Sequence, residues 1–425
     1  MPARASEEAA RVDDTGRPAP PAPARRLLAD PDYRRLWAVG LVTAVVRWLE
    51  TLAAALFVYR ATDSAFLVAM MTLLRLLPMG LFGAFLGALA ERAERRTLLL
   101  AILLGGLAAS AALAALSAIG VLAVWHLAVA SFVSGLSWAA DNPVRRMMIG
   151  QVVGSGRMGQ AMSIDVGTAN ASRMLGPTLG GVLFATVGVG GAFALGAALQ
   201  AMVMLAAATL RVRSGVSARA AGEGILAGVR DGVALARRDP RLRGTLLVTI
   251  VFNVWGWPFT SLVPVIGQDH LGLSPGTIGV LASMDGVGAF AGALALGLWA
   301  RPAHYARCYL GGIAVYLAAV SLFALATHPV LAGAALVLNG LGQSAFSVMQ
   351  ATLVYLASPP EMRSRVLGVL TVCIGLGPIG FLHLGLMAEL LGARLACILT
   401  GAEGLLALAL THRLWRPILR EETRP

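Results

Sequence analysis

Long apolar stretches separated by short polar ones repeat along the chain from residue 36 to residue 413. Each stretch holds about 20 residues, the length that an α-helix needs to cross the hydrocarbon core of a bilayer. We therefore predict an all-α polytopic membrane protein with twelve transmembrane helices. The predicted spans are 36–59, 64–89, 97–119, 121–141, 161–186, 189–210, 244–267, 274–299, 308–326, 330–355, 366–391 and 394–413.

The longest polar connection follows the sixth span and divides the helices into two groups of six. The predicted domains are a disordered cytoplasmic N-terminal tail at 1–35, an N-terminal half at 36–210, a cytoplasmic linker at 211–243, a C-terminal half at 244–413 and a cytoplasmic C-terminal tail at 414–425. Apolar residues recur at helical spacing in the linker, which predicts an amphipathic helix on the inner leaflet. They are Ile225, Leu226, Val229, Val233 and Ala236.

Composition and charge agree with this picture. Apolar residues make up 57% of the chain and charged residues only 13%, which is far from the composition of a soluble domain. The net charge of +12 would indicate nucleic acid as a partner in a soluble protein, but here the arginines collect on alternate connections. Only Arg60 and Arg394 fall on the other side. This distribution predicts a multi-pass protein of the inner (plasma) membrane, in contact with lipid, with both termini in the cytoplasm and no nucleic-acid partner.

The sequence offers little for enzymatic chemistry. Its histidines never pair at metal-ligand spacing, and the absence of lysine excludes a phosphate-binding loop of the Gly-Lys type. We therefore expect no enzyme activity, no cofactor and no metal. A receptor or scaffold without transport activity is an alternative, but it would need a soluble output domain that the tails are too short to supply.

Several polar and charged residues interrupt the apolar spans. An ionised group at mid-bilayer costs about 2.5–3.5 kcal/mol on insertion scales, so such residues are expected to face the bundle interior, pair, or line water. Together they form a candidate pathway for protons or substrate. They are Arg47, Glu50, Arg75, Asp165, Asn170, Arg173, Asn253, Asp285 and Glu403.

Glu50 has two interpretations. It could be the permanent counter-ion of Arg47, three residues away, or of Arg75, which lies at similar depth in the next span. It could instead take up a proton from one side and release it to the other, a role that Asp165 or Asp285 could share. Arg173 is equally open, as a hydrogen-bond donor inside the bundle or as a contact to an anionic substrate.

A charged hairpin of about six residues joins the second and third spans within GALAERAERRTLL, residues 87–99. A generic hairpin that obeys the positive-inside pattern would explain its charges. The segment also resembles the loop signature of the major facilitator superfamily, with Glu91 in place of the usual aspartate and Glu94 in place of the usual glycine. The matching residues are Gly87, Glu91, Arg92, Arg95 and Arg96.

The fifth span contains a stripe of small residues, Ser172, Gly176 and Gly180, spaced four apart and suited to close helix contact. Pro177 removes a backbone donor and favours a kink. The GPxxGG end, which is Gly176, Pro177, Gly180 and Gly181, resembles the antiporter signature of drug–proton exchangers, although serines replace its upstream glycines.

The resemblance extends along most of the chain. The segments YRRLW (33–37), FVYRATDSA (57–65), DNPVRRMMIG (141–150), GRMGQAMSI (156–164), RRDPRLRG (237–244) and PPEMRSRVLG (359–368) look like the facilitator branch that contains enterobactin exporters and macrolide-efflux proteins. This resemblance implies a twelve-helix facilitator fold that rocks between inward-open and outward-open states. It also implies that Glu91, Arg92, Arg95 and Arg96 gate the inner ends of the second and eleventh spans.

The function that the resemblance implies is proton-coupled efflux, by antiport, of a hydrophobic or amphipathic small molecule such as a drug, macrolide or siderophore. The alternative is an importer or facilitator of a polar metabolite in the same fold. A monomer already contains both halves, so we expect no partner subunit. A substrate cavity could use Trp48, Met70, Met71, Trp138, Trp255, Trp257 and Phe346, although each could equally face lipid or pack in the core.

Overall fold

The computed structural model describes residues 25–154, 157–211, 225–359 and 362–419, and these ranges contain helices and no β-strand. The α-helices are α1 Arg25–Leu28, α2 Pro31–Thr62, α3 Ala65–Arg92, α4 Arg95–Ala118, α5 Val124–Val153, α6 Met158–Ala208, α7 Ile225–Arg238, α8 Pro240–Val251, α9 Val263–Asp269, α10 Pro275–Trp299, α11 Tyr305–Leu325, α12 Pro329–Ala357, α13 Arg363–Ile374, α14 Gly377–Leu391, α15 Ala393–Leu410 and α16 His412–Leu419. The chain is therefore all-α, as predicted.

The first long helix begins earlier than predicted. The side chain of Asp30 accepts hydrogen bonds from the backbone N–H groups of Asp32 and Tyr33, at 2.9 and 3.1 Å, and Pro31 occupies the first helical position. This N-cap starts α2 at residue 31 instead of 36. The end of the predicted disordered tail is thus helical, and residues 1–24 lie outside the described residues.

The helices of the N-terminal half also extend further than predicted. Only Ala93 and Glu94 separate α3 from α4, so the charged hairpin is shorter than six residues. Helix α5 continues to Val153 instead of ending at 141, which brings Asp141 and Arg145 inside a helix. The helix continues through these charged residues because they find ion-pair partners inside the bundle.

The longest helix contains two of the predicted spans. Helix α6 has 51 residues and breaks at Gly188, where φ is 71°, next to the predicted turn at 187–188. A β-carbon disfavours this left-handed region, so glycine suits the break. By length and composition, nine described helices could cross a membrane, or ten if the bent pair α8–α9 is one span. Helix α6 is counted once although it holds two predicted spans, and α5, which holds the predicted fourth span, is not counted, so this result is consistent with twelve crossings.

Two spans of the C-terminal half are broken near their middles. The seventh passes from α8 through a π-helical turn, Phe252–Gly256, and a 3₁₀ turn, Trp257–Ser261, into α9, with a bend of 41°. The eleventh is interrupted between α13 and α14 at Gly375 and Leu376. Pro258 lacks a backbone N–H and helps to interrupt the seventh span.

The linker contains a helix at the place that its periodicity predicts. Helix α7 packs on α13, and its position on the inner leaflet stays a prediction. The closest contact is at Gly232, and Arg365 forms an ion pair of 3.0 Å with Asp231. The side chains of Ile225, Leu226 and Val229, and residues 212–224, lie outside the described residues.

The predicted C-terminal tail also contains structure. Helix α16 packs on α8, where Gly244 lies against Leu414 and Trp415, and Ile418 is buried. Residues 420–425 lie outside the described residues.

The halves meet along two pairs of helices. Helices α6 and α10 touch backbone to backbone, because Gly181 faces Gly279 and Arg173 faces Gly286. Helices α3 and α14 meet at Gly385, which packs on Ala69. Helix α2 ends and α3 begins on one face of the bundle, which we call the short-turn face. The opposite face carries α1, α7 and α16, and we call it the linker face.

Candidate functional site

A central cavity lies between the two halves. Its volume is about 960 Å³ including the part that is open to solvent. Helices α2, α3, α5 and α6 contribute to its wall from the N-terminal half, and the broken seventh span, α10 and α12 contribute from the C-terminal half. The charged residues in its wall are Arg47, Arg75, Arg173 and Asp285.

Two of these arginines have no carboxylate partner among the described residues within 4.0 Å. Arg75 is buried and donates one hydrogen bond to the backbone oxygen of Arg47, at 3.0 Å, and one to the hydroxyl of Thr51. The guanidinium of Arg47 lies over the ring of Trp138, 4.7 Å from its centroid. Both cations therefore use neutral groups of their own half as neighbours.

The third arginine joins the halves. Arg173 of α6 forms an ion pair with Asp285 of α10, and its guanidinium lies 5.3 Å from the ring centroid of Trp48. The close approach at Gly286 lets these side chains meet near the middle of both helices. Nε of Arg173 and Oδ1 of Asp285 are buried without a hydrogen-bond partner in the described part of the chain. The pair thus keeps unused donor and acceptor capacity beside the cavity.

Glu50 lines a second cavity, of about 510 Å³ with its open part, which lies entirely within the N-terminal half. Ser110 donates a hydrogen bond of 2.6 Å to its carboxylate, and Gln200 donates one of 2.9 Å to Ser110. Among the described residues, no basic nitrogen lies within 4.0 Å of Glu50. Glu50 therefore makes no direct ion pair with Arg47 or Arg75 in this conformation, although both arginines line the same cavity, and its role as their counter-ion or as a proton carrier stays a prediction.

Asp165 lies apart from both cavities. It forms an ion pair with Arg145 and lies 3.7 Å from Arg146, while Arg145 also lies 3.4 Å from Asp141. Arg145, Asp141 and Asp165 are all buried. Sequence reasoning placed Arg145 in a loop, yet the four-residue spacing of Asp141 and Arg145 is typical of a helical ion pair.

The remaining polar residues of the spans lie elsewhere. Asn170 is half-buried and lines neither cavity. Asn253 donates to the backbone oxygen of Thr249 in the core. Glu403 is half-buried, lies 2.8 Å from Nε2 of His383 and accepts a hydrogen bond of 3.1 Å from Trp255.

The aromatic and methionine candidates divide into two groups. Trp48, Trp138 and Trp257 line the central cavity. Met71 and Phe346 are buried in the hydrophobic core, Trp255 packs against that core, and Met70 lies beside Gly385 at the contact of α3 with α14. Sequence reasoning missed Thr51 of α2 in the cavity wall. It also missed Phe259, Thr260 and Ser261, because the break in the seventh span decides which of its side chains turn inward.

The charged hairpin is only partly described. The side chains of Glu91 and Arg92 and the surroundings of Gly87 lie outside the described residues. Arg95 is half-buried, and Arg96 donates to the backbone oxygen of Ala208, at the end of α6 in the same half. Glu94 accepts a hydrogen bond of 2.7 Å from Thr97. A gating role in the outward-open state stays a prediction.

The GPxxGG segment lies at two helix contacts. A β-carbon at Gly176 or Gly180 would collide with α2, and one at Gly181 would collide with the backbone of α10 in the other half. Pro177 lines the central cavity, and Ser172 is buried and donates to the backbone oxygen of Ala169. The motif therefore sets the distance of α6 from both α2 and α10.

The halves are also bonded to each other at the short-turn face. Tyr59 at the end of α2 hydrogen-bonds to Asp269 at the end of α9. Ser64, before α3, donates a hydrogen bond of 3.1 Å to Glu389 of α14.

Among the described residues, no group of three His, Cys, Asp or Glu side chains could hold a metal ion. The arrangement is that of a binding cavity inside a helical bundle.

Comparison with known proteins agrees with this arrangement. The family model described as transmembrane secretion effector, of the major facilitator superfamily, matches residues 22–424. Macrolide efflux protein A of Streptococcus pyogenes is 21% identical over 375 residues, which cover 87% of this chain and 92% of that protein.

Solved transporters share the fold. The nucleoside transporter NupG has a TM-score of 0.74 at 14% identity, over 90% of this chain and 100% of that one. A bacterial homolog of the human lysosomal transporter Spinster, in an inward-facing and unoccupied conformation, has a TM-score of 0.69 at 15% identity, over 93% and 99%. The chain is a multi-pass membrane transporter, and it belongs to the transmembrane secretion effector family of the major facilitator superfamily.

Proposed function

We propose that this transporter exports an amphipathic small molecule in exchange for protons, with the central cavity as the substrate site and Glu50 as the group that carries the proton. The observation that carries the proposal is the pair of adjoining cavities. One is shared by the halves and is lined by aromatic, aliphatic and cationic side chains. The other is lined by the buried carboxyl group of Glu50, which has no basic nitrogen within 4.0 Å among the described residues.

Protonation would lower the cost of burying Glu50. An ionised carboxylate in an apolar interior loses most of its hydration, and here a single serine hydroxyl replaces it. A bound proton removes the charge, and reopening to water allows its release. Arg47 and Arg75 line both cavities, so they are the cations through which the charge on Glu50 acts on the substrate site.

The direction of transport rests on the contacts between the halves. The bonds from Tyr59 to Asp269 and from Ser64 to Glu389 hold the halves together at the short-turn face. The arginine distribution predicts that the linker face is cytoplasmic. A cavity that fills from the linker face and empties after these contacts separate would export its substrate. The similarity to macrolide efflux protein A supports the same direction.

Reconstituted vesicles test this proposal. Wild type and Glu50→Gln are placed in proteoliposomes and compared for movement of macrolide, catechol siderophore and apolar dye probes under an imposed pH gradient. Glu403→Gln is the matched control, because Glu403 lies in a span but lines neither cavity. We expect wild type and the control to move one probe with the gradient and Glu50→Gln to lose that response. A gradient that neither drives nor is discharged by any probe would contradict the proposal.

Uptake of a polar metabolite is the second candidate. The polar residues in the N-terminal cavity favour it, since Ser134, Ser137 and Gln200 offer hydrogen bonds to a hydrophilic substrate. Cells that express the protein decide between the two functions. A lower intracellular amount of a probe than in cells without the protein indicates export. A higher intracellular amount of a polar metabolite than in those cells indicates import.

A further inference from the structure

We infer that the substrate of the central cavity is an amphipathic anion, with an aromatic or aliphatic body and a carboxylate or comparable anionic end that binds to Arg47 and Arg75. This inference rests on the proposed function in one respect: it takes the central cavity as the substrate site. It adds the chemical class of the substrate and excludes organic cations.

The charge of the cavity wall is the first argument. Three arginines and one aspartate line the cavity, so its formal charge is positive. The aspartate, Asp285, is already paired with Arg173. The charge of that carboxylate is therefore already balanced, although its Oδ1 has no hydrogen-bond partner, while Arg47 and Arg75 have no carboxylate within 4.0 Å among the described residues.

The second argument is the environment of the two arginines. Arg75 is 8% exposed, and within the described part of the chain its guanidinium donates hydrogen bonds to the hydroxyl of Thr51 and to the backbone oxygen of Arg47. Buried cations without an anionic neighbour are unfavourable, and hydrogen bonds from guanidinium to carboxylate are among the strongest that proteins form. An anionic end group that reaches both side chains would supply the missing charge and accept two sets of N–H donors.

Glu50 lines the same N-terminal cavity as both arginines but forms no ion pair with either of them in the described conformation. Its carboxylate accepts a hydrogen bond from Ser110 and lies on the N-terminal cavity, whereas Arg75 lies between the two cavities and lines both. The anionic end and the proton are therefore held at separate groups. Outward movement of an anion also runs down a membrane potential that is negative inside, in the same electrical sense as proton entry.

The rest of the wall suits an apolar body. Trp48, Trp138, Trp257 and Phe259 present aromatic surface, and Leu52, Leu76 and Leu336 add aliphatic surface. Pockets that are mostly apolar and contain a few convergent polar groups are typical of small-molecule sites. An aromatic or aliphatic body between these rings would place a terminal anionic group at the two arginines.

A set of matched probes tests the inference. One fluorescent naphthalene skeleton is prepared with a carboxylate, a methyl ester or an ammonium end, and each binds to the purified full-length protein in uncharged detergent. We expect the carboxylate to bind about tenfold more tightly than the ester, and the ammonium to bind most weakly. Equal or tighter binding of the ammonium probe, or tightest binding of the ester, would overturn the inference.

Variants locate the site. Arg47→Gln and Arg75→Gln are expected to remove the advantage of the carboxylate over the ester, and Arg75→Lys is expected to keep part of it because it keeps the charge. Arg60→Gln is the matched control, since Arg60 belongs to the same helix as Arg47 but lies exposed at its end, over Phe184. A carboxylate advantage that survives both glutamine variants would place the anion elsewhere and overturn the inference. Melting temperatures in detergent confirm that each variant is folded.

The test separates this inference from the proposed function, because binding in detergent involves no gradient. If the carboxylate binds as expected but no imposed pH gradient moves it, proton-coupled export fails and the anion site stands. If the ammonium probe is instead the one that binds and is exported, the anion site fails and export stands.

Discussion

The N-terminal half keeps its buried polar groups around open space, whereas the C-terminal half fills the corresponding space with aromatic rings. Behind the central cavity, the N-terminal half has a second cavity whose wall carries Glu50, Asp141 and Gln200. In the C-terminal half, Phe346 stacks between Phe252 and Tyr309, with centroid distances of 4.0 and 5.2 Å. The two halves thus use similar helices for different interiors.

The hydrogen-bond networks of the halves differ in the same way. In the N-terminal half, Gln200 and Ser110 lead to a carboxylate. In the C-terminal half, Gln350 donates a hydrogen bond of 2.8 Å to the hydroxyl of Thr249, which is also hydrogen-bonded to Tyr309. This second network contains an amide and two hydroxyl groups and no carboxylate. Only the first network can change its charge at ordinary pH. On the proposed function, the N-terminal half carries the proton at Glu50, and the C-terminal half contributes a cavity wall and Asp285, the partner of Arg173.

The largest effect is expected in the aromatic core. Phe346→Ala would leave a cavity between two stacked rings, and we expect it to lower the free energy of unfolding by about 3–5 kcal/mol. Unfolding in detergent measures the loss. Phe85→Ala is the control, because Phe85 is 62% exposed on the N-terminal half and should change stability little. Equal losses in the two variants would show that the C-terminal half is not the more tightly packed one.

The ion pair between the halves comes next. Asp285→Asn leaves Arg173 without its counter-ion, and removing one partner of a buried pair costs about 3 kcal/mol. We expect the double variant Arg173→Gln/Asp285→Asn to recover most of the melting temperature but not transport. A double variant as unstable as the single one would indicate that the loss comes from packing instead of charge.

A steric change tests the N-terminal cavity more selectively. Gly196 lies against the carboxylate of Glu50, so Gly196→Ala forces that group to move, with a loss of about 1–3 kcal/mol. We expect transport to lose its response to pH, measured as probe movement across a pH series. Gly311→Ala is the control, since a β-carbon at Gly311 meets nothing within 4 Å. Unchanged pH response in Gly196→Ala would argue against a role for Glu50.

The smallest change compares the two networks directly. Ser110→Ala and Thr249→Val each remove one side-chain hydroxyl, and each is expected to cost about 1 kcal/mol of stability. Only Ser110→Ala should also change the dependence of transport on pH, because Ser110 contacts a carboxyl group, whereas Thr249 contacts the phenol of Tyr309 and the amide of Gln350. A similar shift in both variants would remove the distinction between the halves.

Much of the fold could be predicted from hydrophobic patterning. The predicted break at 187–188 lies at Gly188, and α10 begins at Pro275 and ends at Trp299 against a prediction of 274–299. The predicted helix ends were wrong mainly where a charged residue was taken as the end of a span. Helix α5 continues through Asp141 and Arg145 because α2 and α6 give these residues a buried environment, and a local pattern does not contain that information.

The site residues divide similarly. The hydropathy pattern predicted that Arg47, Arg75, Arg173 and Asp285, as charged residues within apolar spans, face away from lipid. All four line the central cavity. It did not identify their partners. Glu50, three residues after Arg47, bonds to Ser110 from another helix, and Asp165 belongs to a separate ion-pair cluster. Ser110 and Gln200 could have been found by the same criterion, as polar residues inside apolar spans.

By itself, the sequence determined that the chain is a bundle of membrane helices and which polar side chains must avoid lipid, because a run of apolar residues and the cost of a charge in hydrocarbon are local properties. Only the tertiary structure decided which of those side chains meet. Arg47, Arg173 and Trp257 face the same central cavity because of the rotation of α2, the backbone contact of α6 with α10 and the break in the seventh span. Glu50 faces the N-terminal cavity instead. Such pairing depends on distances between helices that are far apart in the chain.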